Sequence, residues 1–226
     1  MDIRVAPDQR GAAVLAADAI ARRLRAALRT RPLATLAVSG GTTPAMMFEV
    51  LASRSLEWER VAVVQVDERV APPGDPARNA EQLRIHLLAR LARRPAAVVA
   101  LPVDTLDLGD ADRRLRALEP LDVVHLGVGD DGHTASWPPG DAAADAALDL
   151  ADAVAMVRGF RGHDRLTLTP RVVNDARSRV VLATGAGKAG AIASWVGGDR
   201  SLPVARVRRT GTVVVLDVEA ARSLRR

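Results

Sequence analysis

A histidine with an aspartate two residues before it can work as a general base. The carboxylate fixes the imidazole tautomer and leaves one ring nitrogen free to accept a proton. Asp131 and His133 form such a pair within residues 123–140. The apolar run Leu121 to Leu126 stops at Gly127, and Gly127, Gly129 and Gly132 follow in quick succession. This pattern reads as a buried strand ending in a tight turn, and in open α/β sheets ligands bind where strands end. Asp130 is adjacent to Asp131, and spacing leaves open which of the two faces the ring.

Three further stretches carry chemistry. Ser39-Gly40-Gly41-Thr42-Thr43-Pro44 follows a β-type run, Leu33 to Val38, and precedes a helical pattern from Ala45 to Leu51. Strand, glycine-rich turn and helix together make a site where backbone N–H groups and a helix N-terminus receive a phosphate. Thr43 is the expected N-cap, Pro44 the first helical residue, and Ser39 and Thr42 supply hydroxyls. Asp67-Glu68-Arg69 places three charges directly after the apolar strand Arg60 to Val66. Lys188, in Gly185-Ala186-Gly187-Lys188 at the start of a helix, is the only lysine among 32 basic residues. A lone lysine in a chain that otherwise uses arginine suggests that a compact ammonium is needed at that place.

The elements that position these groups alternate. Ile3 to Val5 reads as an edge strand, and Gln9 to Leu28 has helical spacing in Val14, Leu15, Ile20, Leu24 and Leu28. Asn79 is expected to cap a helix running through Leu83, Leu87, Leu88 and Leu91. Short strands are expected near 98–101, 153–157, 165–169, 178–184 and 212–216. Helices are expected near 110–118, 141–150, 170–176 and 185–196, and a basic helix closes the chain at Arg226. The implied fold class is α/β, a doubly wound, largely parallel central sheet with helices on both faces, in a single domain over residues 1–226. His86, His125 and His163 read as structural, with no spacing that suggests a metal site.

Composition narrows the function classes. With no cysteine and no tyrosine, disulfides, thiolate chemistry and tyrosine acid–base chemistry are excluded. No run is long and apolar enough for a membrane span and the N-terminus lacks a signal-peptide core, so a cytoplasmic protein with no membrane partner is expected. The net charge of +5 is spread over scattered arginines with only five aromatic residues, which argues against nucleic acid and suits a small anionic substrate.

Taken together, the motifs resemble the 6-phosphogluconolactonase family. The pieces, in the family's order, are Ser39 to Pro44; Asp67-Glu68-Arg69 with Pro72 and Asn79; Gly127 to Gly140; Arg165-Leu166-Thr167-Leu168-Thr169 with Asn174; and Gly185 to Lys188. The sugar-phosphate isomerases of the glucosamine-6-phosphate deaminase type share the Gly-Gly loop and the Asp-Gly-His turn. They carry a glutamate shortly after the histidine, whereas residues 136–140 here hold no acid. The resemblance implies hydrolysis of 6-phospho-D-glucono-1,5-lactone, with no cofactor and no metal, by a monomer or weak homodimer. His133 would be the base and Asp131 its orienting partner. The phosphate would sit on the Gly40-Gly41-Thr42 backbone with Arg165 and Lys188, and Asp67 and Arg69 would line the sugar end. Arg78 and Trp137 depart from the family pattern and are expected to reshape the pocket rim. The competing readings are an amino-sugar-phosphate isomerase or deaminase and a catalytically silent sugar-phosphate-binding protein.

Overall fold

The computed structural model describes residues 1–224, without the side chain of Thr42. Its main sheet has seven strands: β1 (Asp2–Ala6), β2 (Ala34–Val38), β3 (Val61–Gln65), β5 (Ala97–Val99), β6 (Val123–Gly127), β9 (Ser178–Ala183) and β10 (Thr212–Asp217). They are ordered β1-β10-β9-β6-β2-β3-β5, and every neighbouring pair is parallel. A second, antiparallel sheet joins β4 (Asp67–Arg69), β8 (His163–Leu168) and β7 (Val154–Phe160) in that order.

The central strands are apolar throughout because both faces of the main sheet are covered. Leu36 and Val38 of β2 enter one core and Ala37 the other. The first core packs under α1 (Gln9–Leu28), α2 (Thr42–Ala52) and α3 (Asn79–His86), with Ile20, Leu24, Phe48 and Leu83 as prominent members. The opposite core receives Leu115 of α4 (Leu108–Arg116), Leu148 of α5 (Ala142–Leu148), Val173 of α6 (Pro170–Asp175), and Ile192 and Trp195 of α7 (Ala189–Gly197). Burying Ile20 and Leu24 contributes roughly 2 kcal/mol each. The α1 boundaries match the periodicity, with Asp8 accepting from the Gly11 N–H at 2.7 Å as N-cap.

Asp67-Glu68-Arg69 follows the carboxyl end of β3 as expected and is in addition a short strand of its own, β4, paired antiparallel with β8 (Asp67 opposite Thr167, Arg69 opposite Arg165). Three expectations are corrected. The helix after Gly41 begins at Thr42, so Gly41, with φ of 116°, holds the N-cap position expected for Thr43, and Pro44 falls inside the first turn. The helix beginning at Asn79 stops at His86, and Leu88–Arg90 forms a separate 3₁₀ turn. The closing helix α8 is one turn, Val218–Ala221; the end of that expectation, at Arg226, lies outside the described residues. No helix of the described residues is long and apolar enough to cross a membrane.

His125 lies within β6, fully buried, its ring 6.2 Å from that of Phe48 in a T-shaped contact. Neither ring nitrogen has a hydrogen-bond partner among the described residues, and burial pushes its pKa down to about 3. The folded chain therefore stays unprotonated there while the unfolded chain takes up a proton near pH 6.5, so this residue's share of stability is lost as pH falls from about 6.5 toward 3. His125→Leu is expected to lose less stability than the parent between about pH 7.5 and pH 5, as urea denaturation at both pH values would show.

Candidate active site

Between β2 and β6 the winding of the chain reverses. From β2 it proceeds outward to β3 and β5; from β6 it proceeds the other way to β9 and β10. The loops leaving these two strands therefore splay apart at their carboxyl ends and leave a crevice, the usual ligand position in such sheets. A cleft of about 200 Å³ opens there, lined by Ser39, Gly40, Gly41, Asp67, Arg69, His133, Arg165 and Lys188 among others. Residues from five separate stretches of sequence are thus brought together. Of the remaining expected positions, Thr42 opens α2 and Asp131 reaches the cleft through His133.

The turn after β6 settles which carboxylate meets the ring. Asp131 Oδ1 lies 2.5 Å from His133 Nδ1 and also accepts from the His133 N–H at 3.0 Å. Asp130 is exposed and paired with Arg161 instead. The turn closes through Gly129 N–H donating to His133 O at 2.7 Å. A carboxylate on Nδ1 makes that nitrogen the protonated one and leaves Nε2 as the basic atom. Burial lowers the imidazole pKa below its usual 6.5, against the opposing pull of Asp131 and with further lowering by Arg161 and Lys188. Burial would raise the Asp131 carboxyl, but the His133 amide and ring and the Arg161 guanidinium outweigh it and hold it at about 2.

The opposite wall is built around buried carboxylates. Glu68 accepts from the N–H groups of Asn79 and Ala80 at 2.7 Å each, and from Gln65 Nε2 at 2.8 Å. It therefore caps α3 from another element, and Asn79 is the first helical residue and not the cap. Asn79 instead donates its amide to the Asp67 carbonyl at 2.9 Å and lies against Gly40, where a Cβ would fall 2.2 Å from Asn79 Oδ1. Asp67 accepts from Ser136 Oγ at 2.8 Å. Arg69 and Arg165 stand directly opposite each other across β4 and β8, and Arg165 stacks its guanidinium 5.0 Å from the Phe160 ring centre.

Two expectations about the rim fail. Trp137 is fully buried with its indole N–H on Leu168 O at 2.9 Å, and Arg78 turns away to Asp104 and the Ala71 carbonyl. Sequence reasoning also passed over Arg161, which lines the cleft from the β7–β8 turn. The glycines flanking it signalled a turn, but nothing local signalled that this hairpin folds onto His133.

Residues 7–215 match the family described as glucosamine-6-phosphate isomerases/6-phosphogluconolactonase. The chain belongs to that family. A 6-phosphogluconolactonase of Mesorhizobium japonicum is 40% identical over 178 residues, which cover 75% of this chain and 74% of its own. The crystal structure of a 6-phosphogluconolactonase from Shewanella baltica OS155 superposes with a TM-score of 0.83 at 26% identity, over 96% of this chain and 97% of that one. A monomeric glucosamine-6-phosphate deaminase reaches the same TM-score at 18% identity, over 99% of this chain and all of that one. Backbone shape therefore does not separate the family's chemistries, and side chains must.

The imidazole occupies space that only glycine at position 129 leaves free: a Cβ there would lie 2.0 Å from His133 Nδ1 and 2.5 Å from Asp131 Oδ1. Gly129→Ala is expected to keep the fold but to break the Asp131–His133 contact, visible in a crystal structure of the variant alongside an unchanged circular dichroism spectrum.

Proposed function

We propose that this protein hydrolyses 6-phospho-D-glucono-1,5-lactone to 6-phospho-D-gluconate, without a metal ion, by general-base attack of water. The observation that carries the reading is the Asp131–His133 pair at the edge of a cleft bearing Arg69, Arg161, Arg165 and Lys188. Arg69, Arg165 and Lys188 suit a substrate whose phosphate is a dianion, while Arg161 is held on Asp130 and Asp131. The name borne by the relatives from Mesorhizobium and Shewanella supports the same substrate.

In this reading His133 Nε2 takes a proton from water as the water oxygen bonds to the lactone carbonyl carbon. The tetrahedral oxyanion then collapses, the bond to the ring oxygen breaks, and the imidazolium returns its proton to that oxygen. A lactone is an activated ester, so a placed base, cations near the oxyanion and a phosphate anchor meet the demand. The N–H groups at Gly40-Gly41-Thr42, Arg165 and the Lys188 ammonium, at the N-terminus of α7, receive the phosphate. Asp67 meets sugar hydroxyls, and Arg69 faces the carbonyl end. Ser136 and Trp137 occupy the segment where the deaminase-type relatives are expected to carry an acid, and both are committed to internal hydrogen bonds.

After subtraction of spontaneous lactone opening, His133→Ala is expected to lower turnover by roughly 10²-fold or more. The acid limb of kcat/KM for the parent is expected below pH 6.5, because the buried imidazole stays neutral to lower pH than a free one. Lys188→Ala is expected to raise KM by more than it lowers kcat, and glucosamine 6-phosphate is expected to release no ammonia. Ammonia release, or full turnover without His133, contradicts the proposal.

A further inference from the structure

The tip of the β7–β8 hairpin has an unusual construction. Phe160 pairs with His163, so the loop between them is the two residues Arg161 and Gly162. Their φ angles are 51° and 84°, and Gly159 before them is also positive at 62°. Two consecutive left-handed residues make the primed turn that suits a twisted hairpin, whose first position ordinarily takes Asn, Asp or Gly. A long cationic side chain there sits in a backbone conformation it does not favour. The side chain nevertheless reaches across to the turn after β6. Its Nη2 lies 3.0 Å from Asp131 Oδ2 and 3.0 Å from Asp130 Oδ1. Asp131 therefore uses its two oxygens on two different partners, Oδ1 on His133 and Oδ2 on Arg161. The neighbouring Phe160 packs edge-on with the His133 ring, centres 5.2 Å apart and planes at 80°. The guanidinium of Arg161 in turn lies 5.8 Å from the Phe160 ring centre.

We propose that Arg161 is a positioning residue for the His133–Asp131 pair: it holds the carboxylate oxygen that the imidazole does not use, while Phe160 beside it holds the ring. This rests on the reading of His133 as the base. An isolated ion pair with an exposed aspartate such as Asp130 contributes little. The contact with Asp131 differs in kind, because it fixes the plane of a carboxylate already bound to a catalytic ring. Without it only Oδ1 is held, by the His133 amide and ring, and the plane of the carboxylate, and with it the ring, is less firmly set. The charges facing His133 are Asp131, Arg161 and Lys188, with Arg165 behind Phe160. Removing Arg161 deletes one of the cations that keep the ring neutral and leaves Asp131 a stronger acceptor, and both changes act in the same direction.

The test is Arg161→Met and Arg161→Lys, with His133→Asn as reference, read by NMR titration of the His133 Cε1–H signal and by pH profiles of lactone hydrolysis. Only four histidines exist in the chain and His125 is fully buried, so the signals are assignable by single substitution. In Arg161→Met the His133 midpoint is expected to move to higher pH, the acid limb of kcat/KM to move with it, and kcat to fall roughly tenfold with little change in KM. Arg161→Lys keeps the charge without the fork and is expected to restore the midpoint but only part of kcat. An unmoved His133 midpoint in Arg161→Met overturns the proposal, whether it comes with a lowered Tm, as for a merely structural residue, or with a raised KM, as for one that contacts substrate. Retained turnover in His133→Asn would instead remove the base reading while leaving the titration to judge Arg161 on its own.

Discussion

The pairing of β2 with β6 governs everything in the cleft. Their ladder holds Leu36, Ala37 and Val38 against Val123, Val124 and His125 and ends with the Ser39 N–H and hydroxyl on the His125 carbonyl. One residue further on, Gly40 leads toward α2 and Leu126 runs on to the Gly127–His133 turn. The phosphate-type loop and the imidazole are thereby held at a fixed separation by backbone hydrogen bonds, with no side chain required to set it. Because β2 and β6 are both buried on two faces, the hydrogen bonds that set this separation are shielded from water.

The small antiparallel sheet adds what the parallel sheet cannot. Strand β4 continues from β3 after the bend at Val66 and brings Asp67 and Arg69 over the carboxyl ends of the main strands. It can do so because Glu68 is buried with four hydrogen-bond donors of other residues aimed at it, which meets the large cost of desolvating a carboxylate. The same strand pairing sets Arg69 against Arg165, two like charges directly across a ladder, an arrangement that costs stability in an empty site. Burial lowers the Arg165 pKa, with Arg69 adding to it and Asp67 opposing. Stability surrendered at one point of a cleft to favour an anionic ligand is a familiar division between fold and function.

Much of this was legible from residue order, for reasons that differ element by element. Helix α1 was readable to the residue because its apolar spacing and its Asp8 cap are both local. The glycine-rich ends of β2 and β6 were readable because a tight turn after a buried strand restricts which residues fit. That Asp67 to Arg69 forms a strand was not readable, because that conformation is decided by β8, about a hundred residues later. Thr43 and Asn79 failed as caps for a related reason: Gly41 takes the conformation one cap position demands, and Glu68 supplies the other cap from a distant strand. Arg161 was invisible because a hairpin tip carries no record of what it will fold against. Local chemistry was therefore readable, and long-range pairing was not.

The order of the main sheet has one more consequence, in time and not in space. Strand β1 precedes the other strands in sequence, yet among the described residues its only neighbour in the sheet is β10, which begins at Thr212. The buried face of α1 likewise packs against β9 and β10 as well as β2 and α2. As the chain leaves the ribosome, β1 waits for β10 before it can join the sheet. Loop closure on that scale is the slow step in topologies of this kind. Until it happens, a strand edge and an alanine-rich helix face stand uncovered, which makes the nascent chain a natural client for a chaperone that shields apolar segments.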